Sequence, residues 1–424
     1  MRFRNAVRRR GAAAIQIVVL LVPVLFAFIG FAVDLGIMYS IKGELKAAAS
    51  SMALAAAQQL IGTDASNAAA TTAAQVTIDT GSASGNRYYF HGLPIGITTG
   101  TLVSTVSDPV FYGTAADAIA NGSSGQTGGS ASKYVRVTMT GQTQLLFWSF
   151  LPLVTNRNVT VAATAVAGIS APLCQACGIE PFAVAAVNAA DTMDYGFLTG
   201  TKYSFGYLCN PAGGVTAAPI LAGASQAVSY VLLNRFDTSA AVFPAEDSQV
   251  FRDGAGGLPG NTNSDQACFR VNNSEVIWAS AVVGACNAVN VAPTVTDALC
   301  GLDTRFESTP QPACSSITSV DTLAASYQPD PDTNDYDVYT DYTGNGRRII
   351  TIPIVDGISA SGSMTVLGFR QFLVLPNQTA ANIAPGDQYG RFIAMYIGSA
   401  APVKQGRFDG CQQSAGPGKV VLHQ

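Results

Sequence analysis

The sequence predicts an α+β protein. It is expected to open with a long N-terminal transmembrane and stem helix, continue into a small α+β domain, and finish in a mostly β, disulfide-bonded C-terminal domain. Three observations carry this. From Ala12 to Val33 there is no charged side chain over 22 positions. The run Ala47-Ala-Ala-Ser-Ser-Met-Ala-Leu-Ala-Ala-Ala-Gln-Gln-Leu that follows has high helix propensity and no proline. All eight cysteines lie between Cys174 and Cys411, where glycine and proline punctuate short β-branched and aromatic runs.

The first element is the anchor. Residues 1–10 carry five arginines and no acid. At ~1.5 Å per residue the uncharged run covers roughly 33 Å, enough for a hydrocarbon core of ~30 Å. It is too long for a signal-peptide core and no small-residue cleavage site with a clean stop follows, so a retained single-pass anchor is expected. A cleaved secretory signal and a buried soluble helix are the alternatives. Arginines on one side place 1–10 in the cytoplasm, 11–35 across the membrane and the chain beyond Asp34 outside. Pro23 is tolerated mid-span because neighbouring groups re-satisfy a membrane helix. Ala32 and Gly36 give a small-xxx-small spacing suited to close helix packing. Asp34, at the outer boundary, is expected to meet an amine of a neighbouring subunit or water. Residues 36–86 read as an alanine-rich stem helix and linker: Gly62-Thr-Asp is a stop, Ala65 to Val76 resumes the helix, and Gly81-Ser-Ala-Ser-Gly is flexible. An alanine surface buries little area, so the stem is expected to pack closely against other helices.

Certain stretches resemble a known family. They are Arg9-Arg-Gly-Ala-Ala-Ala-Ile-Gln, Phe31-Ala-Val-Asp-Leu-Gly-Ile-Met-Tyr and Leu45-Lys-Ala-Ala-Ala-Ser-Ser-Met-Ala-Leu-Ala-Ala-Ala. Together they resemble the amino-terminal module of TadE/TadG-like proteins of the bacterial Tad (Flp) pilus assembly system. The resemblance implies an inner-membrane location with a periplasmic or extracellular C-terminal part. It also implies pilin, pseudopilin or pilus-platform partners, and Gly11, Gln16, Ala32, Asp34 and Gly36 as helix-packing positions. Ser50 and Ser51 stand where the family has an aspartate. TadE-like pseudopilins carry a glutamate five residues after the processing glycine. Counted from Gly11 that position is Gln16, which favours an anchored, TadG-like chain over a processed minor pseudopilin. Self-association through the anchor is a further expectation.

Beyond the stem the period changes to two. Arg87 to His91, Gly100 to Val106, Lys133 to Thr140 and Asn158 to Ala167 read as strands, with Leu145 to Val154 a short helix or apolar connector too short to span. The order of a V-R-V strand, an apolar L-F segment and a V-x-A-x-A strand again resembles TadE/TadG-like chains. Residues 87–170 are therefore expected to form a pilin-like domain, a sheet pressed against the stem. Residues 171–424 form the β domain, with strands expected at Tyr203–Leu208, Ala227–Leu233, Val276–Val283, Arg348–Ile354, Met364–Val374 and Phe392–Ile397. A turn of helix is expected at Asp321 to Ser326. Arg347 to Asp356, Val366 to Val374, Cys177 to Ala183 and Pro259-Gly-Asn resemble C-terminal TadG-like regions.

The chemistry expected is structural. Net charge is −4, and −9 once the five arginines of residues 1–10 are set aside, which argues against nucleic acid as a partner. Cys174, Cys177, Cys209, Cys268, Cys286, Cys300, Cys314 and Cys411 form an even set on the outer side and read as disulfides of undetermined pairing. Cys174-Gln-Ala-Cys177 as a redox pair or half a zinc site is the rival. Only His91 and His423 are present, Gly223-Ala-Ser-Gln-Ala lacks the second glycine of a nucleophile elbow, and no phosphate-binding glycine pattern follows a strand, so no enzyme is expected. Asp237-Thr-Ser-Ala-Ala falls short of the D-x-S-x-S metal site of some TadG-like proteins. In the acidic stretch Asp330 to Asp341, the residues Asp330, Asp332, Asn334 and Asp341 partly match a calcium loop without its glycine or its final glutamate. A solvated acidic loop and a calcium site are both open there. No other cofactor is expected. The rival from another class is an anchored extracellular adhesive or binding protein linked to calcium.

Overall fold

The computed structural model describes residues 4–78, 88–90, 93–94, 103–145, 147, 158–180, 182–208, 218–235, 268–272, 276–278, 293–307, 311–314, 329–358, 363–376, 383–387 and 389–423. Helix α1 runs Arg4–Gln58, 55 residues with Pro23 inside it, or about 80 Å. From Ala14 to Ile29 every side chain is exposed, and this stretch is long and apolar enough to cross a membrane. Beyond it α1 changes character. Ile41, Leu45, Ala48, Ala49, Met52, Ala53, Ala56 and Ala57 are buried at helical spacing, and Leu60 just past the helix end joins them.

Gly62, at φ +79°, turns the chain, and α2 (Ser66–Ile78) packs back on α1 through Ala70, Ala74 and Ile78. A hairpin of β1 (Tyr89–Phe90) and β2 (Leu93–Pro94) follows. Strands β3 (Val103–Val106) and β4 (Val110–Tyr112) both pair with β5 (Tyr134–Gln144). Between β4 and β5 lies α3 (Ala115–Ala120), capped by the Thr114 hydroxyl and ended by Asn121 in the left-handed region. Strand β6 (Asn158–Ile169) pairs with β5 along its whole length, from Asn158 opposite Gln144 to Gly168 opposite Tyr134. The odd residues Val135, Val137 and Met139 of β5 and Ala163, Ala165 and Ala167 of β6 face the stem. Alanine against alanine lets helix and sheet approach closely, so the stem packs on a sheet as well as on a helix.

The second unit begins with β7 (Gln175–Cys177) and β8 (Phe182–Ala185). It continues with β9 (Lys202–Tyr207), β10 (Gln226–Arg235), β11 (Cys268–Arg270) and β12 (Val276–Trp278). After α4 (Pro293–Asp303) come β13 (Ile349–Val355), β14 (Ser363–Met364), β15 (Val366–Leu375), β16 (Phe392–Gly398), β17 (Gln405–Arg407) and β18 (Val420–His423). Six strands close into a barrel in the order β10-β8-β13-β15-β16-β9, with β9 returning to β10. The β9–β10 and β8–β13 pairs are parallel and the others antiparallel. A six-stranded barrel has no room for a lumen, and this one is filled with side chains. Phe182, Tyr203, Phe205, Tyr207, Tyr230, Phe372, Phe392 and Tyr396 interdigitate with Ile350, Ile352 and Ile354. Phe197 plugs one end, 5.4 Å from the rings of Tyr203, Phe372 and Tyr396. Arg370 lies over the Tyr195 ring and donates to the carbonyls of Thr192, Met193 and Ala415. At the other end α4 inserts Val295, Ala298, Leu299 and Leu302.

Sheet β11-β7-β17 packs on one outer face of the barrel, and a Cys174–Cys411 disulfide joins the segments that flank β7 and β17. Cys300–Cys314 is a second bridge, and Cys177 is also disulfide-bonded. Cys174 and Cys177 are therefore not a redox pair with one another. Cys268 lies opposite Cys177 in the ladder, while Cys209 and Cys286 lie outside the described residues. So do His91, the Asp237 motif, the Asp321 to Ser326 turn and most of the Leu145 to Val154 connector. Strand β18 leaves the barrel and pairs antiparallel with β6, so the boundary expected at 170 is crossed a second time.

Candidate functional site: the junction of anchor and ectodomain

Of the expected packing positions, Gly11 and Gln16 lie in the first turns of the span and Gln16 is exposed. Ala32 and Gly36 are exposed on one face, and a β-carbon added at Gly36 would meet nothing within 4 Å. That face is open to another helix. Asp34 differs from expectation: it is 4% exposed rather than solvated. Its carboxylate accepts the amide of Phe147 at 3.1 Å. One turn earlier Gly30 is buried against the same residue, and a β-carbon there would overlap the Phe147 ring. The glycine makes the notch, the ring fills it, and the aspartate holds the ring's backbone. Sequence reading found Asp34 but not Gly30 or Phe147, because neither carries a periodic or charged signal.

The acidic loop sits at the far end of the stem. Its aromatic residues Tyr336, Tyr339 and Tyr342 pack with Leu373, Leu375, Ile393 and Met395 on the outside of the barrel, and Ile61 joins them from the end of α1. Tyr339 donates its hydroxyl to the Ile61 carbonyl, and the Asp64 amide donates to the Thr340 carbonyl at 3.0 Å. The loop is thus a clasp between stem and barrel.

Inside the clasp the carboxylates are engaged with donors. Asp332 accepts the Thr343 amide at 2.9 Å, the Thr343 hydroxyl at 2.8 Å, the Asn334 amide at 3.1 Å and the Tyr336 hydroxyl. Burial alone would raise this carboxyl. The Tyr336 hydroxyl, the Thr343 and Asn334 amides and the Thr343 hydroxyl outweigh it and bring the group down to about 2. Asp330 accepts the Tyr342 hydroxyl and is raised by burial. Asn334 and Asp341 are exposed, and Asn334 turns its amide nitrogen, a donor, to the Asp332 carboxylate at 3.0 Å. Arg348, fully buried, donates to the carbonyls of Val374, Asp332 and Asn334 and lies 5.3–6.0 Å from the rings of Phe306, Tyr342 and Tyr336. Its guanidinium comes within 4.0 Å of the Asp332 carboxylate. Among the described residues no cluster of three His, Cys, Asp or Glu side chains could hold a metal ion.

Between clasp, stem and barrel lies a cleft of about 610 Å³. The Glu180–Arg305 ion pair, with both side chains at most 6% exposed, lines it together with Gln58, Gln59, Arg347 and Lys404.

These features define a class: a protein with one N-terminal helix long and apolar enough to span a membrane, continuing into a helix-on-sheet unit and a closed disulfide-bonded barrel. No protein-family model, curated protein or solved structure matches the chain.

Proposed function

We propose that this chain is a membrane-anchored, non-enzymatic, TadG-like component of Tad/Flp pilus assembly. The N-terminus would lie in the cytoplasm and the disulfide-bonded part in the periplasm. The observation that carries the reading is α1 itself: one helix provides an apolar span, an open Ala32–Gly36 face and a buried stem under an antiparallel sheet. The open face takes a helix of a pilin, pseudopilin or platform protein. The clasp and the Gly30–Phe147 notch hold the ectodomain in one orientation over it. The test is deletion of the gene with wild-type complementation and a count of surface fibres. Loss of fibres that complementation restores supports assembly, and unchanged fibres reject it. N-terminal sequencing of the mature protein separates an anchored chain with its arginines intact from a processed pseudopilin beginning at Ala12.

A further inference from the structure

We infer that the outer edge of β6 is a docking site for an extended, acidic segment of a partner protein, added as a strand below β18. This goes beyond the pilus reading and needs none of it.

Strand β6 is twelve residues long, yet β18 pairs only with Val166 to Ile169. The remaining eight, Asn158 to Ala165, have a neighbour on the β5 side alone among the described residues. The polarity of this edge follows from the ladder. Ser107 donates to the Thr138 carbonyl on the β3 side of β5, so the even residues of β5 bond toward β3 and the odd ones toward β6. Across the register the odd residues of β6 are consumed by β5. The amide of Ser170 donates to Lys419, which puts even residues of β6 on the β18 side. Asn158, Thr160, Ala162 and Thr164 therefore present their amides and carbonyls to the open edge.

Soluble sheets protect such an edge with charges, proline or a bulge. Residues 158–165, Asn-Val-Thr-Val-Ala-Ala-Thr-Ala, have no charged residue and no proline, and the ladder to β5 has no register shift. It is an unguarded template for β-augmentation.

The charge of the occupant is set by a second feature. Where β18 ends, a notch of about 230 Å³ opens beside Thr164 and Ala165. Lys46 and Ser50 of α1 line one side, and Arg136 and His423 the other. Arg136 turns one guanidinium nitrogen to the carbonyls of Ala118 and Ile119, both at 2.9 Å, while its buried Nε has no partner. Lys42, one turn from Lys46 on the same stripe, is exposed toward the membrane end of the edge. Among the described residues no carboxylate lines the notch. A strand entering here meets Lys46 on the stem face and Arg136 with His423 on the other, so an acidic side chain opposite Ala165, which shares the stem face with Lys46, is complementary. A basic strand is repelled.

The test uses the full chain in detergent and fluorescent seven-residue peptides of alternating valine and threonine. One carries a central glutamate and its twin a lysine. Anisotropy should show saturable binding of the glutamate peptide, at least tenfold tighter than the twin. Hydrogen exchange should show new protection at Thr160, Ala162 and Thr164. Ala162→Pro removes an outward amide and leaves the β5 ladder intact, so it should abolish binding while the melting temperature stays within a degree or two. Lys46→Glu should erase the charge preference without abolishing binding. Absence of saturation, equal affinity for both peptides, or binding indifferent to Ala162→Pro overturns the inference. So does a concentration-dependent dimer that Ala162→Pro dissociates, because the edge then belongs to a second copy of this chain.

Discussion

Removing the Asp332 carboxylate tests whether the clasp is held by its own hydrogen bonds. In Asp332→Ala the Thr343 amide and hydroxyl, the Asn334 amide and the Tyr336 hydroxyl lose a charged acceptor together. Hydrogen bonds to a charged group contribute about 1.5–3 kcal/mol each, but Thr343 is exposed and Tyr336 half-buried, so water replaces part of the loss. The net cost should be about 3 kcal/mol, or ~6–12 °C in the melting temperature of a unit of this size. Asp332→Asn keeps the shape and one acceptor, and should cost roughly half as much. The acid limb gives an independent check. The carboxyl is near 2 when folded and about 3.9 when unfolded. Its contribution is therefore complete above pH ~4 and lost as pH falls through the folded value. The wild type should lose stability over that window and the alanine variant should lose less. Melts in calcium and in chelator should coincide. Two results would refute the reasoning: an unchanged melting temperature in Asp332→Ala, or a calcium-dependent rise that the substitution abolishes. The second would restore the cation loop that the spacing of Asp330, Asp332, Asn334 and Asp341 suggests.

Three further outcomes follow from the same contacts. Gly30→Leu places a side chain where the Phe147 ring lies, and should destabilise the protein in detergent by about 1–3 kcal/mol. Adding Phe147→Ala should recover most of that loss, and additive effects in thermal melts would mean the two residues do not share the notch. Arg305→Ala strands the buried Glu180 carboxylate and should cost about 3–5 kcal/mol by denaturant titration, while the apolar pair Arg305→Met with Glu180→Leu should cost less. Asp303, raised to about 8 by burial and then by the charge of Glu307, holds a proton in the folded state that the unfolded chain gives up near pH 4. Stability should fall by up to ~1.4 kcal/mol per pH unit between about pH 4 and 8 from this group alone. Asp303→Asn should flatten that slope in melts across the range, and an unaltered slope would assign it elsewhere.

Much of the architecture was legible where a periodic pattern and its environment agree. The uncharged run announced α1, Lys133 to Thr140 and Asn158 to Ala167 announced β5 and β6, and Arg348–Ile354 and Phe392–Ile397 fall within a residue of β13 and β16. What stayed hidden is set by partners distant in sequence. Barrel closure depends on the parallel pairing of β9 with β10, which no local pattern encodes. Helix α4 was missed because its apolar residues plug a barrel end that had not been foreseen. Asp330 and Asp332 stood out as an acidic loop, but beside the local donors Asn334 and Tyr336 they take bonds from Tyr342 and Thr343, ten or more residues on. Asp34 stood out by its charge and by the resemblance, and the amide that its carboxylate accepts lies 113 residues away.

The return of β18 to β6 also sets a clock on synthesis. Ser170 and Lys419, joined by hydrogen bonds, are 249 residues apart. At ~5–20 residues per second, that interval is roughly 12–50 s. Throughout it the stem and β5 can pair with β6, but its outer edge is bare along all twelve residues. Whatever shields nascent strands has to hold this one until the barrel has been made and β18 can cover Val166 to Ile169.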